Sequence, residues 1–127
     1  MILVDTSVWV DYLRNGESNL EELINTNQVC MHSAIIGELA CGNLQNRKDR
    51  INDWKALPTI SELQNGDVIA LIENKKLMGK GIGLIDAHLL GAVLNQPGTL
   101  IWTRDRKLLN ITTALGVAYD EARERAS

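Results

Sequence analysis

The sequence predicts an α/β fold, a three-layer α/β/α sandwich around a mostly parallel sheet of about five strands. Short apolar runs rich in β-branched residues, beginning with Ile2–Val4, alternate along the chain with segments whose apolar residues have helical spacing. Each crossover between such strands is expected to be right-handed. The 127 residues suffice for a single domain, and we assign residues 1–127 to it.

Five segments are predicted as strands. The first is apolar throughout, which is typical of a strand buried on both faces. The others are Val29–Met31, Thr59–Ile60 after the helix-stopping Pro58, Thr99–Thr103 and Val117–Tyr119. Between them, the apolar spacing and the cap-type residues predict helices that begin near Thr6, Ser33, Arg47, Asp67, Asp86 and Leu108.

Composition narrows the class of protein. A hydrophobic content of 45% and a charged content of 23% are ordinary for a globular chain and exclude wholesale disorder. The two cysteines, Cys30 and Cys41, lie in apolar surroundings without metal-ligand spacing, so we expect both to be reduced and buried in a cytoplasmic protein. No signal peptide or membrane segment is predicted. The net charge of −3, taken alone, argues against a nucleic-acid binder.

Four acidic residues could meet at one edge of the predicted sheet: Asp5, Glu38, Asp86 and Asp105. Singly, each is better explained as a helix cap or a solvated surface residue, because acidic caps are common. Asp5 and Asp105 both follow apolar strands, however, and the carboxyl edge of a parallel sheet is where ligands bind. Four carboxylates without basic partners in their motifs would raise one another's pKa. Such a group suits hard divalent cations, which take oxygen ligands.

Four short motifs together resemble one family. Ile-Leu-Val-Asp5-Thr-Ser, Ile35-Ile-Gly-Glu38-Leu, Ile85-Asp86-Ala-His-Leu and Trp102-Thr-Arg-Asp105 occur in the order found in PIN domains, and more narrowly in VapC-type ribonuclease toxins. The resemblance covers nearly the whole chain. It implies a sheet ordered 3-2-1-4-5 and cleavage of RNA that depends on Mg²⁺ or Mn²⁺. The four acids match the family's catalytic and metal-binding acids, and Ser7 matches its supporting hydroxyl.

The resemblance also sets expectations for mechanism and partners. Water activated by the ion would attack in line and leave 3′-hydroxyl and 5′-phosphate ends. Thr6, Ser7 and Thr103 would orient the acids. A cognate antitoxin protein is implied as a partner, and we expect a homodimer and no membrane association.

The basic residues beside the last acid are the best candidates for RNA backbone contacts. These are Arg104, Arg106 and Lys107, which adjoin Asp105. Two other clusters, Arg47/Lys48/Arg50 and Lys75/Lys76/Lys80, are explained at least as well by a solvated surface. The acids at the site account for the negative net charge, so this charge does not exclude RNA binding.

Two alternative functions stay open from the sequence. A catalytically silent PIN-like binding domain would lack a carboxylate-dependent Mn²⁺ site. An Asp-based phosphotransfer domain would retain a phosphoryl group on Asp5. The second alternative lacks its expected motifs, because Ser7 stands where a haloacid-dehalogenase-type phosphatase has a second Asp, and the acidic pair of a receiver domain is missing.

Overall fold

Three parallel strands form the centre of the sheet in the computed structural model, which describes residues 1–122. They are β1 (Ile2–Val4), β2 (Val29–Cys30) and β3 (Leu100–Trp102), in the order β2-β1-β3. Leu3 lies opposite Cys30 on one side and Ile101 on the other. Every residue of β1 is buried, and because successive side chains point to opposite faces, both faces of the sheet are covered.

The two outer strands predicted from the sequence are reduced to single bridges. Met31 pairs with Thr59, and Ile101 pairs with Ala118, both in parallel. With these bridges included, the chain segments lie in the order 3-2-1-4-5, as the family resemblance implies. The outer strand at Thr59 cannot extend toward its N-terminal side, because Pro58 has no N–H group to donate to a neighbouring strand.

Seven helices lie within the described residues. Their bounds are α1 Thr6–Asn15, α2 Ser18–Asn25, α3 Ser33–Ala40, α4 Arg47–Ala56, α5 Asn65–Lys75, α6 Leu84–Leu94 and α7 Arg106–Ala114. Helix α3 contacts both α1 and α4, whereas α5 packs on α6 and α6 packs on β3. This arrangement is the predicted α/β/α sandwich. None of these helices combines the length and apolar content that a membrane crossing would need.

Three predicted helix starts lie two residues too late, since α5, α6 and α7 begin at Asn65, Leu84 and Arg106 rather than at Asp67, Asp86 and Leu108, and the predicted cap of α3 is also wrong. Helix α3 is capped by His32 rather than Ser33, since the His32 Nδ1 atom accepts a hydrogen bond of 3.0 Å from the N–H of Ala34. Apolar spacing identifies the buried stripe of a helix, but the first turn lies outside that stripe and carries other residues.

The core lies between the sheet and the helices. Two of the three tryptophans contact each other there. The rings of Trp9 and Trp54 meet edge to face with centroids 5.9 Å apart. Both cysteines are free as predicted and Cys30 is buried, but the expected burial of Cys41 is wrong because that residue is exposed. Cys41 is the C-cap of α3, and it lies beyond the apolar stripe that packs on the core.

Candidate active site

Asp5 follows β1 directly and is only 5% exposed. It occupies the N-cap position of α1, but its side chain makes no capping hydrogen bond. Its Oδ2 atom instead accepts hydrogen bonds of 2.8 Å from both the Ser7 and the Thr103 hydroxyl groups. A carboxylate that was present only to cap the helix would face the free N–H groups of the first turn. The geometry therefore does not support capping as the role of Asp5.

The same two hydroxyl groups join β1 to the turn after β3. The Ser7 hydroxyl accepts a hydrogen bond of 3.0 Å from the N–H of Arg104, and the Thr103 hydroxyl accepts one of 3.1 Å from the N–H of Asp105. Each hydroxyl thus accepts a hydrogen bond from a backbone N–H group and donates one to the Asp5 carboxylate. This relay fixes the orientation of the carboxylate and of the backbone that carries Asp105.

Asp105 and Glu38 stand at the rim of the same edge, and both are exposed. Asp105 is the N-cap of α7, and its Oδ1 atom accepts a hydrogen bond of 3.0 Å from the N–H of Leu108. Its cap role is therefore confirmed, and within residues 1–122 its Oδ2 atom accepts no hydrogen bond. Glu38 projects from α3, and its Oε1 atom accepts a hydrogen bond of 2.7 Å from the Thr6 hydroxyl.

Asp86 is the third residue of α6 rather than its first, because the helix begins at Leu84. Its pKa is raised to about 6, first by partial burial and then by the negative charge of Asp5, and the backbone N–H of Gly83 partly opposes this shift. The charges of Asp105 and Glu38 raise the Asp86 pKa further. The expectation that crowded acids raise one another's pKa is thus confirmed at Asp86, and all four acids act on one region.

The donor set at this edge fits a hard divalent cation. Within residues 1–122 none of the four acids forms an ion pair with a lysine, arginine or histidine. No three His, Cys, Asp or Glu side chains in that part of the chain are already arranged as a metal-binding group. Asp5, Glu38 and Asp105 instead accept hydrogen bonds from hydroxyl and N–H groups. Uncompensated carboxylates, one of them buried, are still the oxygen ligands that Mg²⁺ and Mn²⁺ prefer.

Arg104, one of the predicted RNA contacts, is directed away from these acids. Its guanidinium group pairs with Asp11 at 2.9 Å, with Glu17 at 2.7 Å and with Glu121 at 2.9 Å. It also lies 5.7 Å from the centre of the Trp102 ring. The three carboxylates hold the Arg104 pKa above its usual range, even though partial burial opposes this. Because its N–H groups serve these ion pairs, the hypothesis of an RNA contact now rests on Arg106 and Lys107.

Local sequence patterns could not have identified the partners of Arg104. Glu17 and Glu121 are far from it in the chain, and Glu121 also accepts a hydrogen bond of 2.6 Å from the Trp102 indole N–H. His88, which follows Asp86 by two residues, is half-buried, and its Nε2 atom lies 2.6 Å from the Asn65 side-chain oxygen.

A cavity of about 590 Å³ opens beside two of the site residues, Thr6 and Glu38. Its walls combine polar and apolar side chains, with Val10 and Leu13 from α1 on the apolar side and Arg14 and Arg50 among the polar groups. The acid edge therefore continues into a wide depression rather than ending on a flat surface.

Comparison with known proteins agrees with this geometry. The sequence model of the PIN domain matches residues 2–113. Ribonuclease VapC32 from two strains of Mycobacterium tuberculosis is 36% identical over 121 residues, covering 95% of this chain and 98% of that protein. The crystal structure of PAE2754 from Pyrobaculum aerophilum aligns with a TM-score of 0.65 at 18% identity, over 99% of this chain and 96% of that one.

The structural match supports the fold, and the sequence matches identify the family. The family match spans residues 2–113, a range that contains the positions of all four acids. The chain therefore belongs to the PIN domain family, and its end-to-end similarity to VapC32 places it among the VapC-type members.

Proposed function

We propose that this protein is a metal-dependent endoribonuclease and the toxin of a toxin–antitoxin pair. The observation that carries the proposal is the state of Asp5, a buried carboxylate held by two hydroxyl groups and without a basic partner in the described chain. Burying an uncompensated charge is costly, so a site that keeps one is expected to bind a cation. The similarity to a protein named a ribonuclease supports the choice of RNA as substrate.

Asp5, Glu38, Asp86 and Asp105 would together hold Mg²⁺ or Mn²⁺. When bound, the ion offsets the charge of the acids, polarises the phosphate and activates the attacking water. The protein's own groups keep the acids in place. Ser7 and Thr103 fix Asp5, and the Thr6 hydroxyl fixes Glu38.

Arg106 and Lys107 would contact the RNA backbone. Both side chains are exposed in the first turn of α7, directly after Asp105. Neither forms an ion pair within residues 1–122. We further propose a cognate antitoxin that covers the acid edge, and a homodimer. Co-purification with the product of the neighbouring reading frame and the measured mass in solution test these two assignments.

Cleavage of a labelled single-stranded RNA in Mg²⁺, in Mn²⁺ and in EDTA tests the activity. We expect cleavage with either ion, none in EDTA, and loss of cleavage for Asp5→Asn and Glu38→Gln. Glu73→Gln is the matched control, because Glu73 is an exposed acid on α5, away from the site. This variant should cleave RNA normally.

Cleavage that persists in EDTA, or in Asp5→Asn purified identically, would overturn the proposal. Absence of cleavage together with absence of stabilisation by Mn²⁺ would favour the silent binding domain. A phosphoryl group retained on Asp5 would favour phosphotransfer.

A further inference from the structure

Three lysines from two separate parts of the chain line one cavity of about 410 Å³. Lys75 ends α5, Lys80 lies in the following loop, and Lys107 stands in the first turn of α7. Asn110 adds an amide to the wall, and the apolar side chains of Leu77 and Ile111 also line the cavity. The sequence grouped Lys75 and Lys80 apart from Lys107, and the fold unites them.

The three ammonium groups have no acidic partner within the described residues. None lies within 4.0 Å of a carboxylate oxygen, whereas Arg104, nearby in the chain, has three such partners. Bringing like charges together is unfavourable unless an anion neutralises them. In a chain of net charge −3, with acids available elsewhere on the surface, this cavity has the character of an anion site.

Gly81 provides the space for one of the lysines. A Cβ atom at Gly81 would lie 2.5 Å from the Lys107 Cδ atom and 2.9 Å from its Nζ atom. The residue also has φ +80°, a conformation that favours glycine. The absence of a side chain at Gly81 thus leaves room for the Lys107 side chain at this position.

Both parts of the chain that form the cavity also lead to an acid of the site. Lys107 follows Asp105 by two residues, and the loop that carries Lys80 leads into α6, whose third residue is Asp86. From Lys107 the cavity continues along α7 to Ile111 and Leu115. An RNA strand that binds at the acids and continues along α7 would meet these lysines.

We propose that Lys75, Lys80 and Lys107 form a binding site for a phosphate of the RNA strand adjacent to the cleaved bond. This inference rests on the proposed function and adds the course of the strand, toward α7 and the α5–α6 loop. The lysines neutralise the phosphodiester, and the sugar or base contacts Asn110 and the apolar wall. Contacts of this kind bind RNA of any sequence and weaken as salt is added.

The test measures binding of a labelled single-stranded RNA by fluorescence anisotropy over a series of salt concentrations. All variants carry Asp5→Asn, so that the RNA stays intact. We expect Lys80→Gln and Lys107→Gln each to reduce the salt slope by about 0.7 and the affinity by roughly threefold, and the double variant to show about twice the change in slope. Lys55→Gln, an exposed lysine on α4 outside the cavity, should leave the slope unchanged.

Unchanged slopes for the cavity variants, or an equal change for Lys55→Gln, would overturn the proposal. An acidic oligoglutamate peptide whose binding depends on Lys80 and Lys107, while RNA binding does not, would assign the cavity to a protein partner and would also overturn it. RNA cleavage by the unsubstituted protein is scored separately. Cleavage with unchanged slopes refutes only the cavity, whereas lysine-dependent binding without cleavage supports the cavity and refutes the nuclease.

Discussion

Replacing Asp86 by Asn should stabilise the metal-free protein at neutral pH. Burial and the neighbouring acids raise the Asp86 pKa from 3.8 to about 6, a difference of about two units. At about 1.4 kcal/mol per unit, the ionised carboxylate costs the folded state at most about 3 kcal/mol. Because the group is only partly buried, water screens some of this, and we expect a gain of about 1 to 2 kcal/mol.

The sign and the pH range of the effect follow from linkage. The folded protein binds a proton at Asp86 more tightly than the unfolded chain, so the cost of ionisation develops as pH rises from about 4 to about 6. Above that range the stabilisation of the folded state by Asp86→Asn reaches its full value. Below about pH 4 the side chain is protonated in both states, and the two proteins should have equal stability.

Asp67→Asn is the matched control for this experiment. Asp67 is also the third residue of an eleven-residue helix, but it is exposed and lies outside the acid group. An acid in the first turn favours the helix dipole, so its replacement should lower stability by about 0.3 to 1 kcal/mol. The two substitutions at equivalent helix positions should therefore change stability in opposite directions.

The assay is thermal melting in EDTA at pH 7.5 and at pH 4, repeated with Mn²⁺ at pH 7.5. For a domain of this size the expected gain for Asp86→Asn corresponds to roughly 3 to 10 °C at pH 7.5. Mn²⁺ should raise the melting temperature of the unsubstituted protein and raise that of Asp86→Asn less. An Asp86→Asn protein that melts at or below the unsubstituted protein at pH 7.5 would refute the crowding of the four acids.

Two further substitutions test parts of the structure outside the acid group. Arg104→Met removes three ion pairs and should cost about 1 to 3 kcal/mol by denaturant unfolding, less at high salt, whereas the neighbouring Arg106→Met should be nearly neutral. Burial lowers the pKa of His32, with Glu62 opposing this shift and His88 adding to it, so acid should destabilise the fold through this residue. His32→Asn keeps an acceptor for the α3 cap and has no titratable group. This variant should therefore lose less stability between pH 7 and pH 5 than the unsubstituted protein, and an equal loss would contradict this account.

The acids of the site could be predicted from the sequence because their positions depend on local features. Asp5 ends an apolar run, and Asp105 precedes a helix after another such run, so parallel pairing of the two strands brings them to one edge. The cap role of Asp105 followed from the same local pattern. Helix starts were less accurate, as α3 shows, because a buried histidine can accept the same hydrogen bond as a serine.

The basic side chains could not be assigned from the sequence because their partners are distant in the chain. Arg104, Arg106 and Lys107 appear as one basic cluster, yet in the fold they face different surroundings. Arg104 meets carboxylates from α1, from the residue before α2 and from Glu121, whereas Lys107 meets Gly81 and the cavity of the lysines. Chain neighbours around a turn diverge in space, and only the tertiary packing decides where each long side chain goes.

The ion pairs of Arg104 also leave the acid edge without a basic partner within the described residues. The backbone N–H of Arg104 donates to the Ser7 hydroxyl beside Asp5, and the next residue is Asp105, so the arginine is joined to both parts of the acid edge through its backbone. An arginine paired with Asp5 or Asp105 would neutralise the charge that attracts a divalent ion and would occupy its oxygen ligands. Asp11, Glu17 and Glu121 bind the guanidinium group away from the site. Within the described residues these three acids form no hydrogen bond with the site carboxylates. By binding Arg104 they help to keep the site negative.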